Sequence, residues 1–236
     1  MLEITNIPTE QTTALTDAVL ALVAAACLFY LRRIKQCDAQ RTNIWAWFFG
    51  LLTFSSASGA LLHGFKMPDA LHNFMWQTLF LALGFVVVLF VLGAVYDTLG
   101  RTAVRRILPV MLAIAVVFYA VNLLFPGTFL VFILYEAIAM TFALIAYGRL
   151  ALRKRLRGAG LMTIGVLLTI IAAVFQANKD ITVRFIWQFD NNGIFHLIQI
   201  AGVLFLAVGL RSGLLSGKKI TCGPSQKLDS RSSGAI

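Results

Sequence analysis

Charge is the scarcest thing in this chain of 236 residues: Asp, Glu, Lys and Arg make up 13% of it, against 59% hydrophobic residues and a mean hydropathy of +0.84. So little charge excludes a soluble globular domain and leaves a polytopic membrane protein. Cysteine is nearly as rare. The three thiols, Cys27, Cys37 and Cys222, show neither CxxC nor Cys/His spacing, which excludes a disulfide framework and a thiolate metal site and reads as free thiols. The first 13 residues hold Glu3 and Glu10 but no basic residue, so the positive start of a cleavable signal peptide is missing and the first apolar run is expected to stay in the mature protein. No lysine lies in the last apolar run, which excludes a retinal Schiff base there, and no GxSxG sequence occurs, which disfavours a serine nucleophile.

What is present is a set of seven apolar runs, at about 13–32, 43–65, 70–96, 106–125, 128–149, 159–177 and 193–215. Each reaches the roughly 20 residues a helix needs to cross a bilayer. In lipid every backbone polar group must be satisfied within its own segment, so the runs are helices and the fold class is all-α, a seven-helix bundle over residues 1–215. Residues 216–236, rich in Ser, Gly and Lys, read as a disordered tail.

The net charge of +10 would point to nucleic acid in a soluble protein, but the basic residues sit in short clusters between the runs and that partner is excluded. Seventeen of the twenty lysines and arginines fall on one side, leaving Lys66, Lys179 and Arg184 on the other. The positive-inside rule then places the N-terminus outside and the C-terminus in the cytoplasm, and short loops with simple charge bias suit a bacterial inner membrane. The longest outer connection, Asn178 to Asn192, carries Phe185, Ile186 and Trp187 and is expected to lie on the membrane surface or over the bundle mouth. No internal repeat divides the spans into halves, which weakens a transporter reading.

Three histidines are all the chain has, and the topology brings them to one face: His63 at the outer end of span 2, His72 at the outer start of span 3 and His196 in the first turn of span 7. Three neutral imidazoles plus water form the shell of a catalytic zinc. Asp69 and Asp190 are the candidate proton carriers, with Asn73, Asn192 and Gln199 as further acceptors. Ser56 lies seven residues before His63 on the same helix face, and Ser58 is beside it. Either hydroxyl is a candidate to bind water or substrate, while small residues around Gly59 equally serve close helix packing. Glu136, inside span 5, must be paired, hydrogen-bonded or protonated, and Asp17 in span 1 can join the same polar layer.

The segments SSASGALLH, ending in His63, and NNGIFHLIQ, containing His196, together with the seven-span layout, resemble the superfamily of transmembrane hydrolases that includes alkaline ceramidases and adiponectin-type receptors. That resemblance implies a zinc held by one histidine of span 2 and two of span 7 one turn apart, a serine one turn before the first, and an aspartate on span 3. Carried across, His63 and His196 take two ligand roles. The second position on span 7 is Ile200, the residue one turn before His63 is Gly59, and span 3 has only Asp69 and His72 at its start. The expected function is thus a zinc-dependent hydrolase of an amide or ester bond in a membrane lipid. The alternative is a non-catalytic seven-helix sensor or interaction protein without a metal, and Glu136 alone favours a transporter.

Overall fold

The computed structural model describes residues 3–34, 38–125 and 129–221. Seven helices account for nearly all of them: α1 (Pro8–Arg33), α2 (Ala39–Gly64), α3 (Asp69–Leu99), α4 (Arg101–Leu124), α5 (Leu130–Leu152), α6 (Ala159–Ala177) and α7 (Asn191–Thr221). All seven are long and apolar enough to cross a membrane. Every expected span is therefore a helix, and most run a turn or more past the apolar stretch because polar residues also continue a helix once it leaves lipid. The first six residues of the expected tail belong to α7, and the remainder, with Cys37, Cys222 and the Pro126-Gly127 turn, lies outside the described residues.

Helix ends follow local chemistry. α1 opens on Pro8, whose missing N–H would be unsatisfied there in any case, carries Glu10 in its first turn and closes with Arg32 and Arg33, all favourable to the helix dipole. α2 is capped by the Asp38 carboxylate, which accepts from the Arg41 N–H at 3.1 Å.

Six of the helices close into a ring in the order α1, α2, α3, α5, α6, α7 and back to α1, and α4 packs outside it on α3. The main core cluster draws Leu20, Trp45, Phe90, Tyr147, Met162 and Leu206 from those six helices and nothing from α4. Small residues set the closest seams. A β-carbon on Gly165 would stand 2.8 Å from the Gly202 carbonyl oxygen, and one on Gly209 would stand 2.8 Å from that of Gly158, so α6 and α7 touch backbone to backbone. Gly158, at φ +85°, makes the left-handed turn into α6 that brings this contact about.

Two small antiparallel pairs finish the end of the bundle that carries the histidines. β1 (Glu3–Ile4) pairs with β2 (Phe65–Lys66), tying the chain start to the end of α2. β3 (Thr182–Arg184) and β4 (Gln188–Asp190) form a hairpin between α6 and α7. Thr12 donates to the Gln188 carbonyl at 2.7 Å and Thr13 to the Asp190 carboxylate at 2.8 Å, so the hairpin is fastened to α1. Of the two placements expected for this apolar connection, on the membrane surface or over the mouth, its exposed tip fits the first. Phe185, Ile186 and Trp187 make the hairpin tip and point away from the bundle, 86, 75 and 59% exposed.

Candidate functional site

The ring encloses a cavity of about 710 Å³ reached from the histidine end. Counting about 1.5 Å per residue from the helix ends, Glu136 lies about 9 Å down, and Asp17, Ser55, Ser56, Thr169 and Gln199 about 12–14 Å down. Those six side chains come from α1, α2, α5, α6 and α7 and form a polar layer in the cavity wall. Below it the lining is apolar: Leu20, Leu52, Leu206 and Phe48 stand about 18–24 Å down by the same count. His63, Gln176 and Asn192 belong to the upper lining, and Lys179 is exposed at the rim.

Two imidazoles reach this cavity, each beside a carboxylate of α1. His63 Nδ1 lies 2.6 Å from Glu10 Oε2. Deeper, His196 is held at both nitrogens, with Nε2 at 3.3 Å from Asp17 Oδ1 and Nδ1 at 3.2 Å from the Thr16 hydroxyl. Asp17 reaches this place because Gly59 has no side chain: a β-carbon there would come within 2.5 Å of Asp17 Oδ2. The position at which the resemblance expects a serine is thus the socket for a carboxylate from α1.

The third histidine takes another course. His72 Nε2 accepts from Trp76 Nε1 at 3.1 Å, one turn along α3, and is not part of the cavity wall. The Trp76 indole stands between the two rings, with its centroid 5.8 Å from that of His63 and 6.2 Å from that of His72. Among the described residues no group of three or more His, Cys, Asp or Glu side chains is arranged to hold a metal. The three histidines expected to share a zinc are thus not gathered at one point among the described residues: His72 meets its own tryptophan on α3, while the other two imidazoles face carboxylates.

The remaining candidates divide in the same way. Ser56 lines the cavity, and so does its neighbour Ser55, whereas Ser58 is buried outside it. Asp69 is exposed in the first turn of α3. Asp190 caps α7, accepting from the Gly193 N–H and the Thr13 hydroxyl at 2.8 Å each, which accounts for its carboxylate structurally.

Several polar atoms of the wall have no protein partner at all. Ser55 Oγ, Glu136 Oε2, Gln176 Oε1 and Gln199 Oε1 make no hydrogen bond, on residues 3, 6, 6 and 7% exposed. Burying one such group unpaired costs about 1–3 kcal/mol, so these four atoms keep hydrogen-bonding capacity toward the cavity. Ser55 belongs to the serine-rich stretch before His63 that the sequence marks, whereas Gln176 was not singled out. The only signal for Gln176 is a polar residue one position before the end of an apolar run.

A closed ring of six membrane helices with a seventh outside it, enclosing a cavity that is polar near one end and apolar beyond, defines the class: a polytopic seven-helix membrane protein with an internal site. The chain belongs to a family of unknown function, DUF6962, matched over residues 12–214. No curated protein and no solved structure matches it.

Proposed function

We propose that this protein is a membrane-embedded binding protein whose cavity takes one amphiphilic molecule, its polar group at the layer formed by Asp17, Ser55, Glu136 and Gln199 and its apolar part against Leu20, Leu52, Phe48 and Leu206. The observation that carries this reading is the set of four unpartnered buried polar atoms that α2, α5, α6 and α7 bring to one cavity, above an apolar floor. The volume falls within the roughly 300–1,000 Å³ typical of small-molecule sites, and such sites combine apolar walls with a few placed polar groups.

The test is lipid mass spectrometry on protein purified in nanodiscs, with thermal unfolding followed as amphiphiles of different head group are added. A genuine occupant raises the unfolding temperature in a saturable way. Replacing Ile133, a half-buried residue of the cavity wall, by Trp is expected to abolish that rise while the protein stays folded. No saturable shift with any amphiphile, and no enriched lipid, would refute the reading.

A second reading, hydrolysis of an amide or ester bond in a membrane lipid, is favoured by the two carboxylate–imidazole pairs at the cavity, Glu10–His63 and Asp17–His196. Imidazoles oriented by carboxylates are suited to act as general bases toward water. It is checked by following fatty acid release from a lipid amide or ester. Release that is absent in the wild type, or unchanged in His63→Gln and His196→Gln, removes this reading and leaves the first intact.

A further inference from the structure

From the charges on the cavity wall we infer that the occupant carries a positive charge: it is an amine, and its nitrogen pairs with the Glu136 carboxylate. The inference rests on the binding reading above and adds the chemical class of the head group.

Glu136 faces the cavity from α5 with Oε2 unbonded and its residue 6% exposed, about two turns below the helix start. A carboxyl at that depth in a membrane is expensive unless a cation or a proton accompanies it. The protein supplies no cation there. Among the described lining residues the one lysine or arginine is Lys179, which is exposed at the rim beyond the end of α6, and no arginine lines the cavity. His63 and His196 offer no surplus positive charge, because each already faces a carboxylate, Glu10 and Asp17 respectively.

An anionic head group placed in this layer would meet Glu136, and Asp17 already faced by His196, with no lysine or arginine between them, so a free carboxylate or phosphate is the wrong chemistry. An ammonium group supplies the missing charge at Glu136. Its remaining N–H donors have unpartnered acceptors in the same cavity lining, Ser55 Oγ of α2 and Gln199 Oε1 of α7. Lys and Arg residues clustered at the far end of the bundle do not alter this local balance, because they lie across the membrane from the cavity.

The experiment compares hexadecylamine, hexadecanol and hexadecanoic acid, which share one chain and differ in head group. Binding is measured by thermal shift and by titration to nanodiscs of zwitterionic lipid containing the wild-type protein, with empty discs subtracted. The expected result is saturable binding of the amine at least about tenfold tighter than of the alcohol, with the acid weakest. In Glu136→Gln the amine and alcohol should converge while the alcohol keeps its wild-type affinity. Equal affinity for the three probes, or preference for the acid, overturns the amine assignment and leaves the cavity reading standing. No saturable binding of any probe overturns both. The wild-type comparison decides the matter even if the Gln variant fails to fold.

Discussion

The two ends of this bundle treat buried charge in opposite ways. At the end that carries the basic clusters, Arg41 of α2 and Asp97 of α3 meet at 2.6 Å between Nε and Oδ1, with side chains 8 and 2% exposed. Tyr147 of α5 donates to the other oxygen of Asp97 at 3.0 Å, and Tyr96 donates to both oxygens of Asp38. Trp45 fills the space beside Gly93, where a β-carbon would stand 2.8 Å from its ring. Here the chain sets a cation against its own anion and adds hydroxyls to the carboxylates, although Arg41 Nη2, Thr42 Oγ1 and Trp45 Nε1 still lack a hydrogen-bond partner. At the histidine end Asp17 meets His196 and Glu10 meets His63, but Glu136 faces the cavity with no protein cation, beside unpartnered oxygens of Ser55, Gln176 and Gln199 in the lining. The difference lies in the carboxyl: Asp97 has its arginine, and Glu136 has none.

The comparison breaks first at Asp97. Asp97→Ala leaves the Arg41 guanidinium buried without its anion, a loss of about 3–5 kcal/mol, read as a large fall in the thermal midpoint or in the folded fraction recovered in detergent. A midpoint equal to wild type would mean that water already reaches this pair.

Next in size is the seam between α6 and α7. Gly165→Val places methyl groups against the Gly202 carbonyl and Leu206 and should cost about 1–3 kcal/mol. Gly148→Ala, where nothing lies within 4 Å of the added carbon, is the matched control and should leave the midpoint unchanged or slightly raised. Equal effects of the two changes would show that the backbone contact is unimportant.

Glu136→Gln is expected to be smaller still, within about 1 kcal/mol of wild type and on the stabilising side, because the amide keeps the shape of the carboxyl and cannot ionise in a place where the protein supplies no cation. A loss as large as that of Asp97→Ala would show that Glu136 belongs to a structural network after all. The smallest effect is expected at the hairpin tip. Trp187→Ala should move the midpoint by no more than about 0.5 kcal/mol. It should also remove part of the tryptophan signal quenched by brominated lipid, the rest coming from the exposed Trp47, since exposed aromatic residues at a span end sit in the interfacial zone. Quenching that is the same with and without Trp187 would place the tip in water.

Hydropathy made the seven helices legible because the bilayer sets their length and composition independently of how they pack. The ring order was not legible, and the site depends on it. Ser56, His63 and His196 share a cavity because α2 and α7 both face α1, whereas His72, at the same depth, belongs to a stretch of α3 that turns toward Trp76. Asp17 and Glu136 could be recognised as out of place in apolar runs, but their different fates could not. Asp17 has Gly59 to make room for it and His196 to meet it, and those partners lie 42 and 179 residues away in sequence. Gln176 gave almost no signal, since a single neutral polar residue near a span end is ordinary.

The helix outside the ring has its own consequence. α4 supplies no residue to the cavity and presents Val110, Val116, Val117 and Leu124 outward. The chain therefore carries two sets of positions that answer to different solvents. Changes along the outward face of α4 adjust the protein to the thickness and composition of the lipid around it, and changes along the ring adjust what the protein holds. A reporter group attached to α4 can thus follow the membrane without touching the binding chemistry.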